Sequence, residues 1–157
     1  MKSSILIKKK DKFFVEDVCI DSIIEKFATP TYIYSKSRIE DNFKNLESAF
    51  KNVDHLICFA VKANSNLAIL NLLAKNGAGF DIVSGGELRR VIAADGDPKK
   101  IVFSGVGKTS EEIKLAIENN ILAFNIESED ELTRIQEIAK SLSKQASISI
   151  RVNPNVN

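Results

Sequence analysis

The sequence predicts an α/β fold in which parallel strands alternate with helices. Short apolar runs and amphipathic helical patterns follow one another from Ser35 onward, and one pair recurs roughly every 20 to 26 residues. Five of the apolar runs turn polar at their C-terminal ends. This pattern leaves two architectures open, a doubly wound open sheet and part of an eight-stranded βα barrel. A whole barrel takes about 250 residues, so the barrel requires more chain than these 157 residues.

The composition excludes several classes of function. The chain is 44% hydrophobic and 27% charged, as in an ordinary soluble globular domain. Its net charge is only +1, and its Lys and Arg residues are scattered among Asp and Glu residues. This distribution argues against a nucleic-acid or membrane-surface partner. Cys19 and Cys58 have no CxxC spacing and His55 is the only histidine, so we expect no metal site. We expect a cytoplasmic protein, because no run resembles a secretory signal or a membrane span.

Residues 5–34 differ from the rest of the chain in their sequence pattern. Short β-prone pieces at 5–7, 13–15 and 31–34 surround a brief helix near 21–28. The Thr29-Pro30 pair closes this helix, because a residue before proline avoids the helical conformation.

The regular alternation begins after this segment. Strands are predicted at 56–61, 79–83, 101–103, 121–126 and 147–152. Helices are predicted near 37–50, 66–76, 86–95, 110–119 and 129–142. Three of them open with a capping-box pattern, in which a Ser or Thr and a Glu three residues later exchange hydrogen bonds: Ser37–Glu40, Thr109–Glu112 and Ser128–Glu131.

The ends of the predicted strands carry the candidate functional residues. In order along the chain these are Lys62-Ala63-Asn64, Asp81, Ser104-Gly105, Asn125 with Glu127, and Arg151 with Asn153. In parallel α/β folds the C-terminal ends of the strands form the rim where ligands bind. The alternative is that strand ends are polar because loops contact water, and position alone does not separate the two interpretations.

Lys62 and Lys108 each allow a functional and a purely structural interpretation. Lys62 directly follows an apolar run and has no acidic neighbour in sequence, so its amine could attack an aldehyde. It could equally be an ordinary lysine that reaches water from a strand end. Gly107-Lys108-Thr109 suggests a phosphate loop, but that pattern needs a glycine where Val102 stands. A tight turn capped by Thr109 is the preferred interpretation, and a nucleotide-binding domain is a remote alternative.

Five motifs, in order and correctly spaced, give the chain a family resemblance. It is similar to the fold-type III pyridoxal-phosphate enzymes, which include alanine racemase and the ornithine, arginine and diaminopimelate decarboxylases. The motifs are Phe59–Asn64, Gly79–Leu88, Lys100–Thr109, Asn125–Ser128 and Arg151–Pro154. The sequence Ser84-Gly85-Gly86, which follows Asp81, resembles that of the diaminopimelate branch rather than that of the ornithine decarboxylases.

The resemblance implies a fold and a cofactor. The fold would be a partial (β/α)8 TIM-type barrel made of the first five βα strands, preceded by an N-terminal β segment of a second β domain. Residues 1–30 would belong to that β domain and residues 31–157 to the truncated barrel. Lys62 would carry pyridoxal 5'-phosphate. Asp81 would lie near the Lys62 amine and Arg151 near the cofactor, both as orienting and electrostatic groups.

The resemblance also implies a reaction. The full-length protein would decarboxylate meso-diaminopimelate to L-lysine, as a homodimer with shared active sites. Alternatives are an arginine, ornithine or carboxynorspermidine-type decarboxylase, a racemase, or a pyridoxal-phosphate carrier without activity. The residues that select the substrate and bind the phosphate are expected beyond Asn157. We therefore expect these 157 residues alone to be inactive and poorly folded, because an unclosed barrel exposes a strand edge.

Overall fold

The computed structural model describes residues 5–154. The chain divides into two compact units, Met1–Asn52 and Val53–Asn157. The predicted assignment of residues 1–30 to a separate β domain is a statement about the whole protein, and it stays a prediction.

The first unit contains a small antiparallel sheet and two helices. Its strands β1 (Leu6–Lys9), β2 (Lys12–Val15) and β3 (Val18–Cys19) pair in the order β1-β2-β3. Helix α1 (Ile20–Phe27) follows β3 directly, and helix α2 spans Lys36–Phe50. The predicted β piece at 31–34 is wrong, since this segment is neither strand nor helix and Tyr32 is 89% exposed.

The start of α2 differs from the predicted capping box of Ser37 and Glu40. The N-cap is Ser35, whose hydroxyl accepts a hydrogen bond from the backbone N–H of Arg38. Because Arg38 occupies the position where a capping box has a glutamate, Glu16 supplies the carboxylate instead. Glu16 accepts hydrogen bonds from the Ser35 hydroxyl and from the backbone N–H and hydroxyl of Ser37. These bonds hold the pKa of Glu16 below its usual value.

The second unit is a five-stranded parallel sheet in which a helix connects each strand to the next. The strands are β4 (Cys58–Ala60), β5 (Gly79–Ile82), β6 (Ile101–Phe103), β7 (Ala123–Ile126) and β8 (Ile148–Ile150). The helices between them are α3 (Leu67–Lys75), α4 (Gly85–Ala93), α5 (Ser110–Glu118) and α6 (Glu129–Ser141). Their order in the sheet is their order in the chain, β4-β5-β6-β7-β8. A doubly wound sheet would reverse this order at a switch point, so the strand order agrees with the first part of a barrel.

The two faces of this sheet carry different side chains, because successive residues of a strand point to opposite sides. One face is large and apolar, with Phe80, Ile82, Ile101, Phe103 and Phe124 almost fully buried. The helices add Leu70, Leu88, Val91, Ile113 and Ile135 to the same core. The register places small or polar residues on the other face: Cys58, Ala60, Gly79, Asp81, Val102, Ala123, Asn125 and Ser149.

Gly79 is required where β5 passes its neighbours. A Cβ atom at this position would lie 2.5 Å from the backbone oxygen of Lys100 and 2.8 Å from Sγ of Cys58. Both distances are shorter than a real methyl contact, so an alanine would force the strands apart. The glycine keeps β5 close to β4 directly before the sequence reaches Asp81.

Candidate functional site

The face with small and polar side chains leads to one edge of the sheet, at the C-terminal ends of the strands. A cleft of about 430 Å³ lies there. It is lined by Ser104, Asn125, Glu127, Ser149, Arg151 and Val152. Four of these six residues come from the predicted rim, so the structure brings the ends of β6, β7 and β8 together as expected.

Asp81 is connected to this cleft by a chain of two hydrogen bonds. The Ser104 hydroxyl donates to Oδ1 of Asp81 at 2.6 Å, and Nδ2 of Asn125 donates to Oγ of Ser104 at 2.9 Å. The three side chains come from three adjacent strand ends, since Ser104 directly follows β6. The sequence did not predict the hydrogen bond between Ser104 and Asp81. The alternation of small and large residues in 79–82 does indicate that Asp81 lies on the face opposite to Phe80 and Ile82.

Lys62 lies in a single 3-10 turn, Val61–Ala63, directly after β4. Val61 is fully buried and anchors the turn, whereas Lys62 is exposed. The turn contacts β5, and Ala60 pairs with Asp81 in the register of the two strands. Within residues 5–154, no hydrogen bond or ion pair involves the Lys62 amine. The structure therefore presents a primary amine without a partner in the described chain, next to the strand that carries Asp81.

Arg151 lies one residue beyond the end of β8. Its guanidinium is 3.4 Å from Oε1 of Glu127, and its backbone N–H donates to the oxygen of Ile126. The Arg151 side chain is 56% exposed, so this ion pair leaves most of the guanidinium available to another anion. Asp81 and Arg151 thus lie at the same edge as predicted, and their contacts with a cofactor remain predictions.

Cys58 is a further residue of this face that sequence reasoning does not single out. It is half-buried, two residues before Ala60 and on the same side of β4. Burial raises the pKa of the Cys58 thiol, and the Asp81 carboxylate raises it further. The thiol therefore senses the charge of Asp81.

Lys108, the lysine of the phosphate-loop-like turn, has a structural role. It is only 3% exposed, and its amine donates to the backbone oxygens of Gly105 and Asn125 and to Oε1 of Glu131. A lysine amine has three N–H donors, so none remains for a phosphate. The nucleotide-binding alternative is wrong for this turn. Thr109 caps α5 and forms the predicted capping box with Glu112.

The capping box predicted for Ser128 and Glu131 forms only in part. The Ser128 hydroxyl accepts from the backbone N–H of Glu131, as expected. The Glu131 carboxylate, however, binds Lys108 and accepts from the backbone N–H of Glu127. The Glu131 carboxylate, which the sequence pattern predicts to cap the helix, therefore binds the buried Lys108 instead.

Comparison with known proteins assigns the chain to a family. Residues 36–157 match the family described as pyridoxal-dependent decarboxylase, pyridoxal binding domain. The chain belongs to this family. The predicted family resemblance and its cofactor, pyridoxal 5'-phosphate, are thereby confirmed.

The sequences of several decarboxylases align with nearly all of the chain. Diaminopimelate decarboxylase of Pseudomonas aeruginosa is 53% identical over 92% of the chain, and that of Pseudomonas fluorescens is 56% identical over the same share. A crystal structure of diaminopimelate decarboxylase from M. jannaschii in complex with L-lysine superposes with a TM-score of 0.93, at 44% identity over 97% of the chain. The chain spans about a third of the length of these relatives, 35% or 36%. The predicted partial barrel is confirmed.

The residues at the rim fit the family's cofactor. The Lys62 amine is exposed, and a primary amine is the group that forms an imine with an aldehyde. The Asp81 carboxylate and the Arg151 guanidinium provide a negative and a positive charge at the same edge of the sheet. Within the described residues no group of three or more His, Cys, Asp or Glu side chains could hold a metal ion. None of the helices in residues 5–154 is long and apolar enough to cross a membrane.

Proposed function

We propose that the whole protein carrying this chain decarboxylates meso-diaminopimelate to L-lysine, with pyridoxal 5'-phosphate held on Lys62. The observation that carries the proposal is the Lys62 amine, exposed and without a described partner at the end of the first barrel strand. The names of the two Pseudomonas relatives and the L-lysine in the M. jannaschii structure support this choice of substrate and product.

Three residues of the chain have distinct roles in this proposal. The Lys62 amine would hold the cofactor covalently through its aldehyde carbon. Asp81 orients the amine, and Arg151 attracts an anionic group of cofactor or substrate. When bound, pyridoxal phosphate accepts the electron pair left behind as the carboxylate departs as CO2.

The assembly and location of the whole protein belong to the same proposal. We infer a homodimer whose subunits share active sites, and a cytoplasmic location. The family resemblance supports the dimer, and the two cysteines without CxxC spacing, interpreted as reduced thiols, support the location. Molar-mass measurement of the purified whole protein by light scattering tests the dimer, and a monomer with full activity would contradict it.

The covalent role of Lys62 can be tested by trapping. Borohydride treatment of the whole protein with pyridoxal phosphate should attach the cofactor irreversibly to Lys62, and peptide mass spectrometry should locate it there. We expect Lys62→Ala to abolish the label and to lower decarboxylase activity by roughly 10³-fold or more, because the residue acts covalently.

The matched control for this experiment is Lys75→Ala. Lys75 is also exposed, but it ends α3 on the way back to the start of β5. It should keep both the label and the activity. A label on any lysine other than Lys62 would refute the assignment, and release of CO2 from a different amino acid in a panel would refute the substrate.

A further inference from the structure

We propose that Ser104 is a positioning residue that fixes the Asp81 carboxylate at the rim of the barrel, with Asn125 orienting the Ser104 hydroxyl. The inference deepens the proposed function and rests on it for its link to catalysis. The contacts that carry it lie entirely within the second unit, between the ends of β5, β6 and β7.

The direction of the hydrogen bonds follows from the donors available. A serine hydroxyl has one proton, and the Nδ2 group of Asn125 can only donate. Since Asn125 donates to Oγ of Ser104, the single proton of Ser104 points to Oδ1 of Asp81. The Ser104–Asp81 distance of 2.6 Å is typical of a bond to an ionised carboxylate, which is stronger than a neutral one.

Lys108 holds the backbone beside Ser104 and at Asn125 from within the protein. Its buried amine donates to the backbone oxygen of Gly105, the residue after Ser104, and to the backbone oxygen of Asn125. Glu131 balances the charge at 2.7 Å, with the two side chains 1% and 8% exposed. The backbones next to the Ser104 and Asn125 side chains are thus tied to one point, and a group is positioned best when its support is rigid.

The result is a carboxylate with one oxygen committed and one available. Oδ1 of Asp81 accepts from Ser104, whereas Oδ2 has no hydrogen-bond partner among the described residues. Asp81 pairs with Ala60, two residues before Lys62. A carboxylate that is already held in one orientation can therefore present Oδ2 to the Lys62 amine. It pays no further entropic cost for fixing its side chain at that moment.

Cys58 offers a readout that needs no cofactor. The Asp81 carboxylate contributes to the raised pKa of the Cys58 thiol, after the larger effect of burial. The rate of alkylation by iodoacetamide follows the thiolate fraction. Its pH midpoint therefore reports the charge near the thiol, and its plateau at high pH reports accessibility. Peptide mass spectrometry of the whole protein, without pyridoxal phosphate, resolves Cys58 from any other cysteine.

We expect Asp81→Asn to lower the pKa of Cys58 and to raise its alkylation rate near neutral pH by about two- to tenfold. Ser104→Ala should give a change in the same direction, because a carboxylate without its anchor turns towards water and away from the thiol. Ser104→Thr keeps the hydroxyl and should behave as the unmodified protein. Asn125→Leu should give a smaller change than Ser104→Ala.

Two results would overturn the proposal. One is a Ser104→Ala protein whose Cys58 midpoint is unchanged although Asp81→Asn lowers it, since Ser104 would then hold nothing in place. The other is a change in Ser104→Thr as large as in Ser104→Ala. If Lys62 fails to bind the cofactor, the proposed function falls, but the thiol measurement still decides the role of Ser104.

Discussion

A lysine with a buried amine requires a balancing charge within contact distance, because an isolated charge is costly to remove from water. Lys108 meets this requirement with one carboxylate and two backbone oxygens. Its amine also lies 5.6 Å from the centre of the Phe103 ring, on the buried face of β6. Four separate contacts thus converge on one side chain of the turn between β6 and α5.

Lys108→Met should destabilise the whole protein by about 3–5 kcal/mol, because it leaves the Glu131 carboxylate buried without its counter-charge. The midpoint of urea unfolding, followed by circular dichroism, measures the effect. The control is Lys114→Met, which removes the same atoms from an exposed ion pair with Glu118 at 4.0 Å. That change should cost about 0–1 kcal/mol, and equal effects of the two substitutions would contradict the structural role of Lys108.

At the scale of elements, glutamates near helix N-termini hold the helices of the second unit together. Glu112 is the third residue of α5, and its carboxylate accepts from the backbone N–H of Thr109 and the backbone N–H of Gly85 in α4. One side chain therefore caps two consecutive helices. The backbone bond from Thr109 and then that from Gly85 lower the pKa of Glu112 below its usual value.

Glu112→Gln should destabilise the protein by about 1 kcal/mol at neutral pH, since the amide replaces one accepting oxygen with a donor. A lowered pKa in the folded state stabilises the fold at pH values above the usual pKa of a glutamate. This stabilisation is lost as the pH falls through the lowered value. The difference between the two proteins should therefore shrink in acid, as measured by urea unfolding across pH.

Glu111→Gln is the matched control for this pH dependence. Glu111 is the preceding residue of α5 and is exposed. It should change the stability by no more than a few tenths of a kcal/mol. A Glu112→Gln protein whose loss of stability is the same at every pH would show that ionisation of Glu112 does not matter.

At the scale of the whole molecule, the last described strand is the most exposed part of the large sheet. Ile150 in β8 is 68% exposed, and Val152, two residues beyond the strand, is 73% exposed. Among the described residues β8 pairs only with β7. A groove of about 600 Å³ between α6 and β8 is lined in part by Leu132, Ile135 and Ile148. An apolar strand edge of this kind promotes association between chains.

A polypeptide limited to these 157 residues should therefore associate in solution, and Ile150→Lys should reduce the association. Light scattering over a concentration series measures it. Val106→Lys is the control, because Val106 is 84% exposed but lies in a turn rather than on a strand edge. A polypeptide that stays monomeric and melts cooperatively would contradict the expectation that it folds poorly alone.

The elements of the second unit could be predicted closely because their signals are local. Caps such as Thr109 and Ser128 and short apolar runs identify the helices and strands within one or two residues of their observed ends. The rim followed from the same pattern, since every strand turns polar at one end. The motif around Lys62 then supplied the family and the cofactor, which spacing alone did not provide.

The remaining features depend on residues that are distant in sequence. Glu16 caps a helix about twenty residues further along the chain, so the local pattern at Ser37 misled. Lys108 and Glu131 are 23 residues apart, as are Ser104 and Asp81. A single sequence contains no sign that one member of such a pair selects the other. The predictions therefore succeeded where secondary structure decides the geometry and failed where tertiary contacts decide it.

The strand order of the large sheet has a consequence for biosynthesis. Each strand from β5 to β8 pairs with the strand that precedes it along the chain. A ribosome releases residues in that same order, so every new βα unit finds its docking surface already assembled. The nascent chain can thus grow its sheet strand by strand, without waiting for a distant partner.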